Sequence, residues 1–273
     1  MRWVIYALAV FAFAPKAFAD DFDFLRGSQP VGPALFTRWS GFYVGGDFGY
    51  SDERGGFSKA TQTPISFMLR NTDLESAFAP SNWQVLGSSS AANPNFGGFV
   101  GYNTQWQDLI LGVEAGYTQA NLSNTASSYP ISRLTPVDAA GNVYLVNLNG
   151  SGSANNLDYG TLRSRAGWVV GNFLPYGFVG LAVGKADISV TTSVSGEGFT
   201  GSYGTCLCTL FSQSASNGRN SQVLVGFDAG LGLDVALTQN IFLRGEYEFV
   251  QFAPVSGVNI SINTVRAGGG LKF

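Results

Sequence analysis

Eight segments of the chain alternate, residue by residue, between an apolar side and a side of small, polar or charged residues. The last, Asn263 to Phe273, sets Val265, Ala267, Gly269, Leu271 and Phe273 against Thr264, Arg266, Gly268, Gly270 and Lys272. The most regular, Gln222 to Val235, sets Val223, Val225, Phe227, Ala229, Leu231, Leu233 and Val235 against Leu224, Asp228, Asp234 and glycines. Gly41 to Ser51 places Phe42, Val44, Phe48 and Tyr50 opposite Tyr43 and Asp47. Asn95 to Gln105 carries Phe96, Val100 and Tyr102 on its apolar side. Leu109 to Gln119 sets Leu109, Leu111, Val113 and Tyr117 against Glu114. Leu157 to Val170 opposes Leu162, Ala166 and Trp168 to Arg163 and Arg165, and Ile241 to Phe249 opposes Ile241, Leu243, Tyr247 and Phe249 to Arg244, Glu246 and Glu248. Leu174 to Ala186 is too uniformly apolar for its facing to be assigned. A period of two predicts strands, each near or above the 9–11 residues that a tilted strand needs to cross a bilayer.

The connections alternate as well. Short turns fall at Trp106 to Asp108, Gly171 to Phe173 and Thr238 to Asn240, while polar stretches without a clear period fall near 52–94, 120–156 and 188–219, with a shorter one near 253–261. Long unpatterned connections are unusual in a compact soluble domain and normal outside the bacterial outer membrane. The expectation is an all-β fold: an eight-stranded antiparallel transmembrane β-barrel of the outer-membrane type, with short periplasmic turns and long extracellular loops. Aromatics near the segment ends (Tyr50, Phe96, Tyr117 and Phe249 at the loop ends; Phe42, Trp106, Trp168 and Phe273 at the turn ends) fit interfacial girdles.

A soluble up-and-down barrel alternates too, with its apolar face inward. Here the charges share one face across several segments, which parity alone fits to either barrel. The apolar leader over 1–19, the terminal Phe273 and the alternation of long loops with short turns decide for the membrane, where an eight-stranded interior has room for side chains and little else. The membrane reading therefore places Glu114, Arg163, Arg165, Asp228, Arg244, Glu246, Glu248 and Arg266 together as a lumen charge network. Two roles fit it. The groups either neutralise one another and fill the lumen, sparing each ion unpaired burial, or line a narrow water path and set its selectivity. The small cross-section favours the plug.

Composition supports a membrane wall built of strands. Only 12% of residues are charged and 36 are glycine, against about 25% charged in ordinary globular domains. After the N-terminus no apolar run is long enough for a membrane helix. Arg2, the apolar run from Trp3 and the small residues before Asp20 read as a secretory signal peptide over 1–19. Residues 20–38, with Gly27, Pro30, Gly32 and Pro33, read as a periplasmic linker, and 39–273 as the barrel. Lys and Arg number 15 against 18 Asp and Glu, and losing Arg2 and Lys16 with the leader makes the balance two charges more acidic. An acidic chain is a poor nucleic-acid partner.

The chain has no histidine, which removes the commonest general base and the Ser–His and Cys–His nucleophile pairs. No enzyme activity, cofactor or metal site is expected, and haem or zinc would lack its usual ligand. Glu246 and Glu248 share a face, but the arginines expected beside them point to structure rather than acid–base work. Cys206 and Cys208, separated by one residue in the stretch near 188–219, have passed through an oxidising compartment. A bridge within the pair is tight but favoured over free thiols, with intermolecular pairing as the alternative. The stretch Asp52 to Pro94 carries Phe57, Phe67, Met68, Phe78 and Trp83, either as an apolar recognition patch or as packing over the barrel mouth.

The segment Trp39 to Tyr50, WSGFYVGGDFGY, resembles the opening of small alphaproteobacterial outer-membrane surface antigens, the porin family with an OmpA-like eight-stranded barrel domain. Thr161 to Trp168 (TLRSRAGW), Gly230 to Gly232, Arg244 to Tyr247 and the C-terminal Gly-Leu-Lys-Phe273 resemble that family too. The resemblance implies an integral outer-membrane protein, often immunogenic. The expected function is structural or surface-interacting; the alternatives are a small porin-like channel and a surface binding or adhesion module acting through its loops. The expected partners are outer-membrane lipid and lipopolysaccharide, together with the barrel-assembly machinery through the C-terminal strand and its assembly signal Phe273. No surface partner can be named from the sequence.

Overall fold

The alternating segments pair in chain order because each carries one face that avoids water and one that needs partners. In the computed structural model, which describes residues 38–126, 128–201, 203–204 and 209–273, nine strands form one sheet. They are β1 (Gly41–Gly56), β2 (Ser88–Trp106), β3 (Leu109–Ala126), β4 (Ile131–Leu134), β5 (Asn142–Trp168), β6 (Phe173–Thr200), β7 (Thr209–Ala236), β8 (Ile241–Phe252) and β9 (Asn259–Lys272). All pairings are antiparallel. β1 pairs with β2 along one edge and with β9 along the other, and β3 pairs with β5, so the series returns to its first strand. Among the described residues β4 pairs with β5 alone. Between β1 and β2 lie two short helices, α1 (Gln62–Met68) and α2 (Asp73–Phe78), and a 3-10 turn at Pro80–Asn82.

Parity runs unbroken along β6 and is reset on β5 and β7 by register shifts, between Asn155 and Asp158 and between Arg219 and Gln222. Phe42, Val44, Phe48, Tyr50, Phe96, Val100, Leu111, Val113, Tyr117, Leu162, Trp168, Val223, Val225, Leu231 and Val265 are exposed on the outer face. Their neighbours on the other parity are buried or half-buried, the half-buried ones mostly glycine. β6 takes the facing that its sequence left open: Leu174, Tyr176, Phe178 and Ala182 turn inward, while Val179, Leu181 and Val183 turn outward. The tight turn after β2 needs a left-handed residue, supplied by Gln107 at φ 55°, and the one before β6 uses Gly171 at φ 61°.

Two expectations about the loops are corrected. Most of 120–156 and 188–219 is strand: β5 begins at Asn142, β6 runs to Thr200 and β7 begins at Thr209. At about 3.3 Å per residue, β6 continues roughly 50 Å beyond Lys185. Along β6 the period is hidden because the outer residues are mostly Ser and Thr while the inner ones, the buried Thr192 apart, are aliphatic or glycine. Ile188, Val190 and Val194 are buried, with Ser189 and Thr191 outside. The contrast is the reverse of that in the membrane segments.

The stretch 52–94 is likewise folded. Phe57, Leu86, Leu157, Phe252 and Ile262 share one buried cluster, and Ile65, Met68, Leu74, Val146, Leu148 and Val194 another, with Phe78 and Trp83 packed against it. The aromatics there pack over the mouth instead of forming a patch; Phe67 alone of the five named is strongly exposed. Residues 1–19, the linker to Thr37, and Cys206 and Cys208 lie outside the described residues.

Candidate functional site

The inward parity concentrates charge at one level. Seven of the eight expected network residues form ion pairs with one another or with two acidic residues not placed in that set, Asp47 and Asp234. Glu114 on β3 is the hub. Its Oε1 lies 2.5 Å from Arg163 Nη2, and its Oε2 lies 3.2 Å from Arg165 Nη1 and 2.8 Å from Arg244 Nη1. The Tyr43 hydroxyl donates to the same Oε2 at 2.7 Å. Asp234 takes Arg165 Nη2 at 2.7 Å and Arg244 Nε at 2.8 Å.

Two further carboxylates bridge to the other side of the interior. Glu246 meets Arg163 Nη1 at 3.0 Å and accepts from the Tyr176 hydroxyl at 2.8 Å. Glu248 meets Arg163 at 3.3 Å, accepts from the Tyr159 hydroxyl at 2.8 Å and pairs with Arg266 Nη2. Arg266 Nε also lies 3.1 Å from Glu246 Oε1, without the alignment of a hydrogen bond, and its Nη1 lies 3.7 Å from Asp47. All these side chains are nearly inaccessible to solvent.

Asp228 departs from the expectation. It is buried on the inward face, yet neither of its oxygens has a hydrogen-bond partner, and no ion pair joins it to the set among the described residues. Asp47 and Asp234 shared the inward parity in the sequence, and parity alone would have found them. Tyr43, Tyr159 and Tyr176 were harder to foresee, since nothing in a tyrosine's position announces a carboxylate across the interior.

The arginine planes also rest on rings. Arg244 Cζ sits 4.0 Å above the Phe99 ring, Arg165 Cζ 3.8 Å above Tyr176 and Arg163 Cζ 4.2 Å above Phe178. Stacking suits a planar, weakly hydrated cation. These rings belong to an apolar plug at the turn end of the strands, formed by Trp39, Tyr43, Phe99, Ile110, Leu174, Tyr176, Phe178 and Phe242. At the opposite end the cluster around Phe57 and Phe252 covers the charges. The ionic layer is therefore closed above and below by side chains. Removing one partner from such a layer leaves a buried charge alone and costs about 3–5 kcal/mol.

Phe273, the expected assembly signal, has its ring on the outer face, 77% exposed, and its backbone N–H donates to Phe42 O at 2.8 Å. Lys272 points the other way, donating to Arg38 O at 2.8 Å with its Nζ 4.3 Å from the Trp39 ring centre.

An antiparallel sheet that returns to its first strand, apolar outside and ionic within, belongs to the class of outer-membrane wall proteins. Residues 6–273 match the family model described as the outer membrane protein beta-barrel domain, and the chain belongs to that family. It is an outer-membrane protein. The 25 kDa outer-membrane immunogenic protein of Brucella ovis is 25% identical over 277 residues, covering 99% of this chain and 96% of that protein. The 22 kDa outer membrane protein of Rhizobium leguminosarum bv. viciae is 25% identical over 257 residues, covering 89% and 82%. Among solved structures, Neisserial surface protein A aligns at 16% identity over 86% of this chain and 98% of its own, with a TM-score of 0.37.

Proposed function

We propose that β1–β3 and β5–β9 form an eight-stranded transmembrane barrel whose interior is sealed, and that its role is to brace the envelope and carry an extracellular β extension. The observation that supports this most is the ionic layer held between two apolar plugs: Glu114 alone engages three arginines from β5 and β8. Eight strands enclose only enough space for side chains, and here ion pairs and rings take it up. The outer-membrane environment supplies lipid and lipopolysaccharide against the exposed apolar belt, and β9 with its outward Phe273 offers the C-terminal strand to the assembly machinery. The immunogenic label of the Brucella relative fits an extension that faces outward from the cell. Neither an enzyme nor a channel is needed to account for this arrangement.

The test is conductance. Purified, refolded protein in a planar bilayer is expected to show no sustained ohmic steps, and Glu114→Leu to introduce leak. A stable channel from the unaltered protein would overturn the sealed reading in favour of a small porin.

A further inference from the structure

The wall is not continuous outside the membrane. β7 pairs with β6 from Thr209 onward, but with β8 only from Gly226. The last bond toward β8 is Ala253 N–H to Val225 O at 2.8 Å. Pro254 follows, and a proline offers no N–H to a ladder. The chain then turns at Val255–Val258 with Ser256 at φ 52° and Gly257 at φ 77°, and returns as β9. β7 therefore continues beyond the membrane with one edge that no strand covers among the described residues.

Exposed edges of this kind usually carry lysine, proline or inward charge that blocks pairing. From Thr209 to Gln222 the sequence is TLFSQSASNGRNSQ, without proline; its one charge, Arg219, and a register shift with Ser221 at φ 55° fall at the membrane end and leave Leu210–Gly218 regular and uncharged. A second, independent feature adjoins the edge. A hollow of about 360 Å³ opens between α1 and β7, walled by Pro64, Phe67, Val190 and Ala215, with Asn217 and Gln222 at its β7 side. Phe67 is exposed there. A bare edge supplies main-chain bonds, and an adjoining apolar hollow takes every second side chain; together they make the strand-addition mode of peptide recognition.

We propose that the free edge of β7, Leu210 to Gln222, is a strand-addition site for an extended, uncharged polypeptide segment of an extracellular partner, with an apolar side chain of that segment in the hollow beside Phe67. A second copy in the same membrane fits less well. Its β7 would rise parallel to this one, and its Ser212–Ser216 stretch has no large apolar side chain for the hollow. The outward direction rests on the membrane orientation of the proposed function; the edge and the hollow do not.

The test uses the full chain in detergent or nanodiscs, with hydrogen exchange read at Leu210–Gln222. The probes are short peptides alternating Thr with Val, Leu or Phe, together with the same peptides N-methylated at alternate amides. Millimolar unmethylated peptide is expected to slow exchange along the edge, and methylation to weaken binding by about tenfold or more. Ala215→Trp, which fills the hollow, is expected to weaken it similarly while heat-modifiability on gels stays unchanged. No slowing with any peptide, or slowing that survives methylation, would overturn the proposal. So would an edge already as slow as Gly226–Ala236 in a dimer seen by native mass spectrometry, which would assign it to a second copy. A conducting barrel with a peptide-protected edge would defeat the sealed interior and leave this site standing.

Discussion

β6 is one strand in two settings. In its first half Val179, Leu181 and Val183 face outward at 65%, 62% and 53% exposure, opposite an interior that holds Tyr176 and Phe178 against arginine. In its second half the outward residues are Ser189, Thr191 and Ser193, and the inward ones Ile188, Val190 and Val194. The inward parity is unbroken; the chemistry on either side of it reverses. Lipid outside demands apolar residues and lets charge gather within, whereas water outside demands hydroxyls and leaves an ordinary apolar core. The exchange falls at Lys185 and Asp187, and the same boundary appears on β1 between Tyr50 and Asp52 and on β3 between Tyr117 and Gln119.

The two interiors differ in how they hold a carboxylate. Glu114 in the membrane half has three arginines and a tyrosine. Glu53, beyond the Tyr50 girdle, is equally buried, but neither oxygen has a hydrogen-bond partner. Burial alone pushes its pKa up from 4.5 to about 7.

The largest expected effect comes from breaking the paired carboxylate. Glu114→Leu should lower unfolding stability in lipid vesicles by about 3–5 kcal/mol, read by urea titration. A loss under about 1 kcal/mol would mean that the membrane half is not held by its ion pairs. Next is the outer face: Val179→Arg should cost about 2–4 kcal/mol by the same titration, because it places charge in acyl chains.

Glu53 separates the halves by pH. Its folded pKa is raised, so the folded state binds the proton more tightly than the unfolded one. Stability is then greatest below about 4.5, falls as pH rises toward 7 and levels above it. The total is of order 3 kcal/mol. Glu53→Gln should flatten that slope, measured by hydrogen exchange of the extension at several pH values; an unchanged slope would assign the dependence elsewhere. The smallest effect sharpens the contrast on β6 itself. Thr191→Arg, on the same parity as Val179, should stay within about 0.5 kcal/mol of the parent.

Much of the membrane half was legible because lipid imposes one rule on every outward position. Seven of the eight segments could be faced from single residues, and their charged parity collected most of the ionic layer. Leu174–Ala186 could not be faced, since its inward residues Tyr176, Phe178 and Ala182 are as apolar as its outward ones. Asp47 and Asp234 were passed over although they shared the right parity. The extension was read as loop for a physical reason: a search for apolar outward faces finds none where the outside is water. Ile188, Val190 and Val194 alternate with Ser189, Thr191 and Ser193 in the polarity opposite to that of a membrane segment, interrupted on the inward side by Thr192. The break between β7 and β8 was marked in the sequence by Pro254, but the length of β7 had first to be known.

Site-directed spin labelling along β6, in a Cys206→Ser, Cys208→Ser background, tests the reversal most directly. Labels at 179, 181 and 183 should be open to dissolved oxygen and closed to a water-soluble nickel reagent, while labels at 189, 191 and 193 should show the opposite. Labels at Ala182 and Val190 should be shielded from both. Nickel access at 179–183, or at Ala182 and Val190 alike, would contradict a lipid-clad wall around a sealed interior.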